Sequence, residues 1–284
     1  MTSRVIHPDW PDTIAAYLHA QAAAGRPPST RETRRQHLTH LARRVESGPW
    51  ALTSAQLAAY LGAQGWARET LRGRRITLQS FYRWAIASGC TEHDPTEPLE
   101  RIAPGRPNPR PVPDDVYLEA LWRADDTERL WIDLAAEHGL RRAEIAGIHA
   151  RDLVPTLLGY DLRVHGKGGK PRIVPLTSPM ASALLALAEH GGWLWPGEEM
   201  GHVSARWLGK RVNRLLPGDW TIHKLRHRAA TRFWVHSGGD PYVVADLMGW
   251  ANLAMVRTYV ALPSDRLRSV VERASRAGER QRVG

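Results

Sequence analysis

The sequence predicts a mainly α-helical protein of two domains, the second interrupted by a small β-hairpin. Three observations lead there. Apolar residues recur at helical spacing through most of the 284 residues, one pair of alternating segments stands apart from them, and a proline-rich stretch divides a shorter N-terminal part from a longer C-terminal one.

Residues 12–24 carry Ile14, Tyr17 and Leu18 on one helical face. Ser29 followed by Glu32 has the spacing of a capping box, predicting a second helix with Leu38, Leu41 and Val45 inside. Leu57, Tyr60 and Leu61 mark a third. The fourth, over 69–88, buries Leu71, Leu78, Phe81, Tyr82 and Ala85, while Arg68, Arg72, Arg75 and Gln79 recur on another face. Residues 101–114 then hold five prolines and three arginines, Arg101, Arg106 and Arg110. Proline lacks an amide donor and fixes its own φ, so this segment is neither helix nor central strand and runs extended as a linker. The domains are therefore expected over 1–100 and 114–284, with the linker at 101–113.

Beyond the linker, residues 160–165 and 172–176 alternate and are rich in β-formers, and the glycines and lysines between them predict a hairpin. Helices are expected over about 178–190, 203–215, 222–237, 241–248 and 264–277. Trp84, Trp122, Trp131 and Trp234 fall on helices and are expected to fill cores.

Composition narrows the function classes. With 43% hydrophobic and 24% charged residues the chain is ordinary globular protein rather than disordered. One cysteine, Cys90, forms no internal disulfide and holds no metal cluster alone, which fits a reducing compartment. No apolar core of signal-peptide length opens the chain and no run of 18 apolar residues occurs, so a cytoplasmic protein without a membrane span is expected. The 39 basic residues against 29 acidic give a net charge of +10, with +6 in residues 1–110. Such a surplus attracts phosphate polyanions, although an anionic membrane surface or an arginine-rich genome fits it equally well. Arg31, Arg34, Arg35, Arg68, Arg72 and Arg75 lie on helices of one small module, which is the arrangement that lets arginines hold phosphates along a DNA groove; a solvated helix face is the plainer reading of any one of them.

Several familiar sites are excluded. The glycine-rich segment 166–170 lacks P-loop spacing and sits between strands, no G-x-S-x-G elbow exists, and His223 and His227 lack the carboxylate of a zinc helix motif, so no metal site is expected. What remains is a scattered set of phosphate-friendly groups. Arg141 opens a helix after His138-Gly139-Leu140, where its planar fork can meet an anion. Glu144 follows one turn later, as a buttress for an arginine or as a plain surface glutamate. Lys167 lies at the hairpin tip. His223 and Arg226 share a helix face, so one can exchange a proton while the other neutralises charge. Trp250 ends the word LMGW, and Tyr259 follows nine residues later.

The order Arg141, Lys167, His223-x-x-Arg226, Trp250, Tyr259 resembles the tyrosine recombinase family, which includes phage integrases and chromosome-dimer resolvases. The words HGLRRAEI, VHGKGGKPRIVPL, HKLRHRAAT and LMGW carry it, over about residues 8–275. The resemblance implies a helical SAM-like core-binding domain followed by a mixed α/β catalytic domain. It implies a site-specific recombinase that cuts and rejoins double-stranded DNA at core attachment sites, through a 3′-phosphotyrosyl intermediate and a Holliday junction, without cofactor, metal or ATP. In that reading Tyr259 is the nucleophile, His223 its base, Lys167 the acid, and Arg141, Arg226 and Trp250 hold the phosphate. One departure stands out: most members carry histidine where this chain has Trp250, which keeps an N–H donor but cannot titrate. Arg106 and Arg110 would track the DNA backbone, a tail after Tyr259 would link four protomers on two duplexes or pack in cis, and an accessory directionality factor would fit a phage or other mobile element. The short N-terminal part leaves no room for an arm-binding domain, and the host cytoplasm and nucleoid are the expected location. A non-catalytic DNA-binding regulator of this fold and a topoisomerase of type IB, relaxing DNA as a monomer, are the competing readings.

Overall fold

Proline and local capping decide where most helices begin. The structure, a computed structural model, describes residues 6–105, 108–166, 171–260 and Arg268. These fall into two compact units, one within Met1–Arg106 and one within Pro107–Gly284.

The first unit is built from α1 (Asp9–Ala23), α2 (Pro28–Ala42), α3 (Ser54–Gly62) and α4 (Arg68–Ala87). α1 starts three residues before its expected position because Trp10, fully buried, continues the Ile14 and Tyr17 face one turn upstream. Phe81 is the hub of the core, with ring centroids of Tyr82 at 5.1 Å, Tyr17 at 5.5 Å and Trp50 at 5.8 Å. The expected capping box at Ser29 and Glu32 is absent. α2 is entered through Pro27 and Pro28 instead, so Ser29 already lies inside the helix, and Glu32 accepts from Arg35 and Gln36. A capping box does form at Thr53 and Gln56, opening α3.

The second unit opens with α5 (Asp114–Arg123), α6 (Asp126–Ala136) and the short α7 (Arg142–Ala146). A 3-10 turn then leads to β1 (Leu153–Thr156), β2 (Gly159–His165) and β3 (Pro171–Pro175), an antiparallel sheet in that order. The expected hairpin is β2 and β3, paired through Leu162 opposite Val174. β1 was not expected, since it contains Pro155; as an edge strand it tolerates a residue with no donor. Leu162, Val164 and Val174 point into the core, which fixes the inward face of the sheet.

α8 (Ser178–Ala188), β4 (Pro196–Glu199), α9 (Ala205–Leu215), α10 (Ile222–His236), α11 (Pro241–Met248) and α12 (Ala254–Tyr259) complete the unit. The expected helix over 264–277 lies outside the described residues except for Arg268. α10 packs along α6 and is tied to α5 and α6 by Arg228, which bonds Asp114 and Glu137 and stacks 4.5 Å from the Tyr117 ring. Trp131 is buried as expected, whereas Trp122 is 82% exposed. On α5 only Ala120 is fully buried, so Leu118 and Trp122, one turn apart, face solvent.

Candidate active site

Glycines bring the ends of several helices together around one buried guanidinium. Gly139, before α7, adopts φ +68°, and a Cβ there would meet the Met248 sulfur at 2.7 Å. That close approach lets Arg226, from the first half of α10, donate to the carbonyls of both Gly139 and Met248. Arg226 is 1% exposed, and burial first, then the neighbouring Arg141, pushes its pKa down to about 9. It remains a cation at neutral pH.

Arg141 stands at the N-cap of α7 with its side chain partly open to a cavity of about 480 Å³. Leu140, Arg142, Asn213, Thr221, His223 and Arg226 also line that cavity. Glu144 fastens Arg141 twice: one carboxylate oxygen accepts from the Arg141 backbone N–H at 2.8 Å and the other from its guanidinium at 2.6 Å. Glu144 is thus a buried buttress rather than a surface glutamate. Its burial opposes ionisation, but Arg172 and Arg141 hold the carboxyl down at about 2.

Tyr259 ends α12 with its ring among aromatics. Its centroid lies 5.4 Å from His223, 4.5 Å from His227 and 4.9 Å from Trp250. Burial, followed by Arg226, Arg141 and Arg142, lowers the His223 pKa below the usual imidazole range, so the ring is neutral at pH 7. A neutral imidazole beside a phenol can accept its proton. Trp250 is buried, and its Nε1 has no acceptor among the described residues. A buried donor in that state is suited to an anionic oxygen brought by a substrate.

Arg141, His223 and Arg226 therefore line one cavity, and His223 joins it to Trp250 and Tyr259. Lys167, expected at the hairpin tip, lies outside the described residues. Two residues escaped the sequence reading. Arg172 grips both oxygens of Glu144 at 2.9 and 2.8 Å; strand alternation places it on the face of Val174, which is buried, but nothing local in the sequence names its partner. The sequence offers His227 only as a metal ligand, although its place one turn after His223 puts it against the same phenol.

The arginines expected to face DNA divide. Arg68 is exposed, Arg35 is exposed and paired with Glu32, and Arg72 is half-buried and paired with Glu69. Arg31 is half-buried. Arg34 and Arg75 are engaged within the unit. Arg34 donates to the Tyr17 hydroxyl at 2.9 Å and to Gln21, and Arg75, 8% exposed, donates to the Leu99 carbonyl. α2 packs against α1, and the segment after α4 returns over Arg75, so both side chains find partners inside the unit. Arg72, Arg75, Gln79 and Arg101 also line a cleft of about 360 Å³. Arg110, expected to track DNA, is paired with Asp219 at 2.8 Å and stacked 4.8 Å from the Trp220 ring, and Arg106 lies outside the described residues.

Residues 116–266 match the model of the phage integrase family. A tyrosine recombinase XerC of Mycobacterium bovis is 33% identical over 255 residues, covering 79% of this chain and 84% of the relative. A tyrosine recombinase XerC of Chromohalobacter salexigens is 29% identical over 287 residues, covering 92% and 94%. Among solved structures, a lambda integrase dimer bound to a COC′ core site superposes with a TM-score of 0.71 at 20% identity, over 90% of this chain and 96% of that one. At that identity the likeness concerns the fold.

Proposed function

The chain belongs to the phage integrase family of tyrosine recombinases, and from that membership and the cavity geometry we propose that Tyr259 attacks a DNA phosphodiester held by Arg141, Arg226 and Trp250. The protein is a site-specific recombinase, an enzyme that cuts and rejoins DNA strands.

A phosphodiester resists attack because its oxygens repel a nucleophile and its alkoxide leaves poorly, so a catalyst must neutralise the phosphorane and protonate the departing oxygen. Arg141 offers its guanidinium to the cavity. Arg226 keeps further N–H donors beyond the two that hold carbonyls, and the Trp250 N–H adds another. His223 takes the phenol proton as the Tyr259 oxygen bonds to phosphorus. The bond from phosphorus to the 5′ oxygen then breaks, and Lys167 supplies that oxygen with its proton. A 3′-phosphotyrosyl link results, and a 5′ hydroxyl from a partner strand reverses the step without an external energy source. His227 packs against the same phenol, and burial, then His223 and Arg226, hold its pKa at about 4, so it too is neutral at pH 7; the proton goes to His223 because that residue lines the cavity with Arg141 and Arg226.

The observation that carries this reading is the packing of a neutral His223 against the Tyr259 ring, at the edge of the cavity walled by Arg141 and Arg226. In the wider reading residues 1–100 grip a core attachment site, using Arg31, Arg35, Arg68 and Arg72. The segment 101–113 links them to the cutting unit at 114–284. Four protomers act on two duplexes through a Holliday junction, in the bacterial cytoplasm at the nucleoid and, for some elements, with a directionality factor. No helix among the described residues is long and apolar enough to cross a membrane.

A nicked suicide duplex tests the chemistry. The protein should form a covalent adduct that survives denaturant and disappears in Tyr259→Phe. Joined products from two labelled duplexes should also appear, as neither a regulator nor a relaxing topoisomerase would give. An adduct that persists in Tyr259→Phe overturns the assignment of the nucleophile.

A further inference from the structure

We propose that Arg172 is a positioning residue of the cleavage step, which keeps the charge of Arg141 directed at the DNA phosphate by occupying Glu144 from the opposite side. The proposal rests on the reading of Arg141 and Arg226 as the phosphate clamp.

Four N–H donors meet the two oxygens of Glu144. Two belong to Arg141, its backbone amide at 2.8 Å and its guanidinium at 2.6 Å; two belong to Arg172, at 2.9 and 2.8 Å in a bidentate fork. Arg226 comes within 3.9 Å of the same carboxylate. The two main partners differ in exposure: the Arg172 side chain is 9% exposed, that of Arg141 35%. The inner cation therefore balances the carboxylate, and the outer one keeps its charge for the cavity. Without Arg172, the full negative charge of Glu144 would fall on Arg141 and Arg226, weakening the field that a phosphorane needs.

Arg172 also reaches the other wall of the site. Its Nε donates to the Leu247 carbonyl at 3.0 Å, just before Gly249 and Trp250. Gly249 caps α11 with φ +62°, and a Cβ there would meet the Arg172 Cδ at 2.8 Å. One side chain thus ties the third strand to the buttress of Arg141 and to the turn that delivers Trp250. An arginine is suited to this because its fork is planar and remains protonated when buried, which a lysine does not match.

The test compares cleavage of two duplexes, one with a normal scissile phosphate and one with a methylphosphonate, whose neutral linkage removes the charge that the clamp neutralises. Arg172→Ala and Arg141→Ala are each normalised to the wild type on the same duplex. On the phosphate, Arg172→Ala should cleave roughly 100-fold more slowly while its DNA affinity stays within about threefold. On the methylphosphonate the deficit should shrink to below about tenfold, in parallel with Arg141→Ala. A deficit equal on both linkages means that Arg172 only holds the fold together, and no deficit means that it does nothing for cleavage; either overturns the proposal. Arg172→Lys, which keeps a charge but not the fork, is read on both duplexes should the alanine variant not fold, with the same two outcomes decisive. Failure of the clamp reading itself is separately visible, as a deficit of Arg141→Ala that does not shrink on the neutral linkage.

Discussion

Replacing Trp250 by phenylalanine removes one N–H from the site and leaves an aromatic ring against Tyr259. Trp250 is 8% exposed, and its Nε1 has no acceptor among the described residues. No such hydrogen bond is therefore lost on the folded side, and the smaller ring costs about 1 kcal/mol of packing, well below the loss for truncation to alanine. For a protein of this size that is a fall in Tm of about 2–4 °C. Cleavage should suffer much more. A hydrogen bond to a charged group contributes about 1.5–3 kcal/mol, which at the transition state is a roughly 10- to 150-fold slower step. Single-turnover adduct formation on a nicked duplex, at protein concentrations that saturate binding, isolates that step. Trp250→His restores a donor and should recover most of the rate. A Trp250→Phe variant that cleaves at the wild-type rate, or whose loss of rate is matched by its loss of DNA affinity, would refute the reasoning.

Acid should destabilise the protein before its carboxylates titrate. His227, and His37 and His40 in the N-terminal unit, have pKa values lowered to about 4, each by burial first. The unfolded chain then binds more protons than the folded one, so their contribution is complete above about pH 6.5 and is lost as pH falls toward 4; melting temperatures across that window should fall, and less so in His227→Gln. Arg68→Ala should reduce the salt dependence of DNA binding by about one unit of slope, whereas Arg75→Ala should leave the slope alone and cost about 1–3 kcal/mol by stranding the Leu99 carbonyl, read by gel shift and denaturant melts. Gly249→Ala forces a side chain into a left-handed conformation at about 1–2 kcal/mol and displaces Arg172, so stability and cleavage should both drop; wild-type cleavage in that variant would contradict the tie through Arg172.

Much of the secondary structure was legible because its signals are local. The strand pair was expected at 160–165 and 172–176 and is found at Gly159–His165 and Pro171–Pro175; α10 and α11 begin where expected. The misses were local rules overridden. Two prolines, not the Ser29 and Glu32 pair, set the start of α2, and Pro155 concealed an edge strand. Arg141, His223, Arg226, Trp250 and Tyr259, singled out by order and chemistry, lie close together around the candidate site. Arg172 and His227 could not be assigned a use, because their partners are distant in sequence: Glu144 lies 28 residues from Arg172.

By itself, the sequence determined the order of the helices, the place of the hairpin, the positive balance of the chain and the set of side chains able to handle a phosphate. Each of these depends on neighbours within a turn or two, or on residue type alone. Only the tertiary structure decided which cations are available. Arg75 has the same chemistry as Arg68, but it is enclosed against a carbonyl from the segment after α4, whereas Arg226, also buried, is fixed by two carbonyls at the wall of the cavity that Arg141 also lines. Burial and hydrogen-bond partnership are properties of the packed chain, and a helix face carries no mark of what will be laid against it.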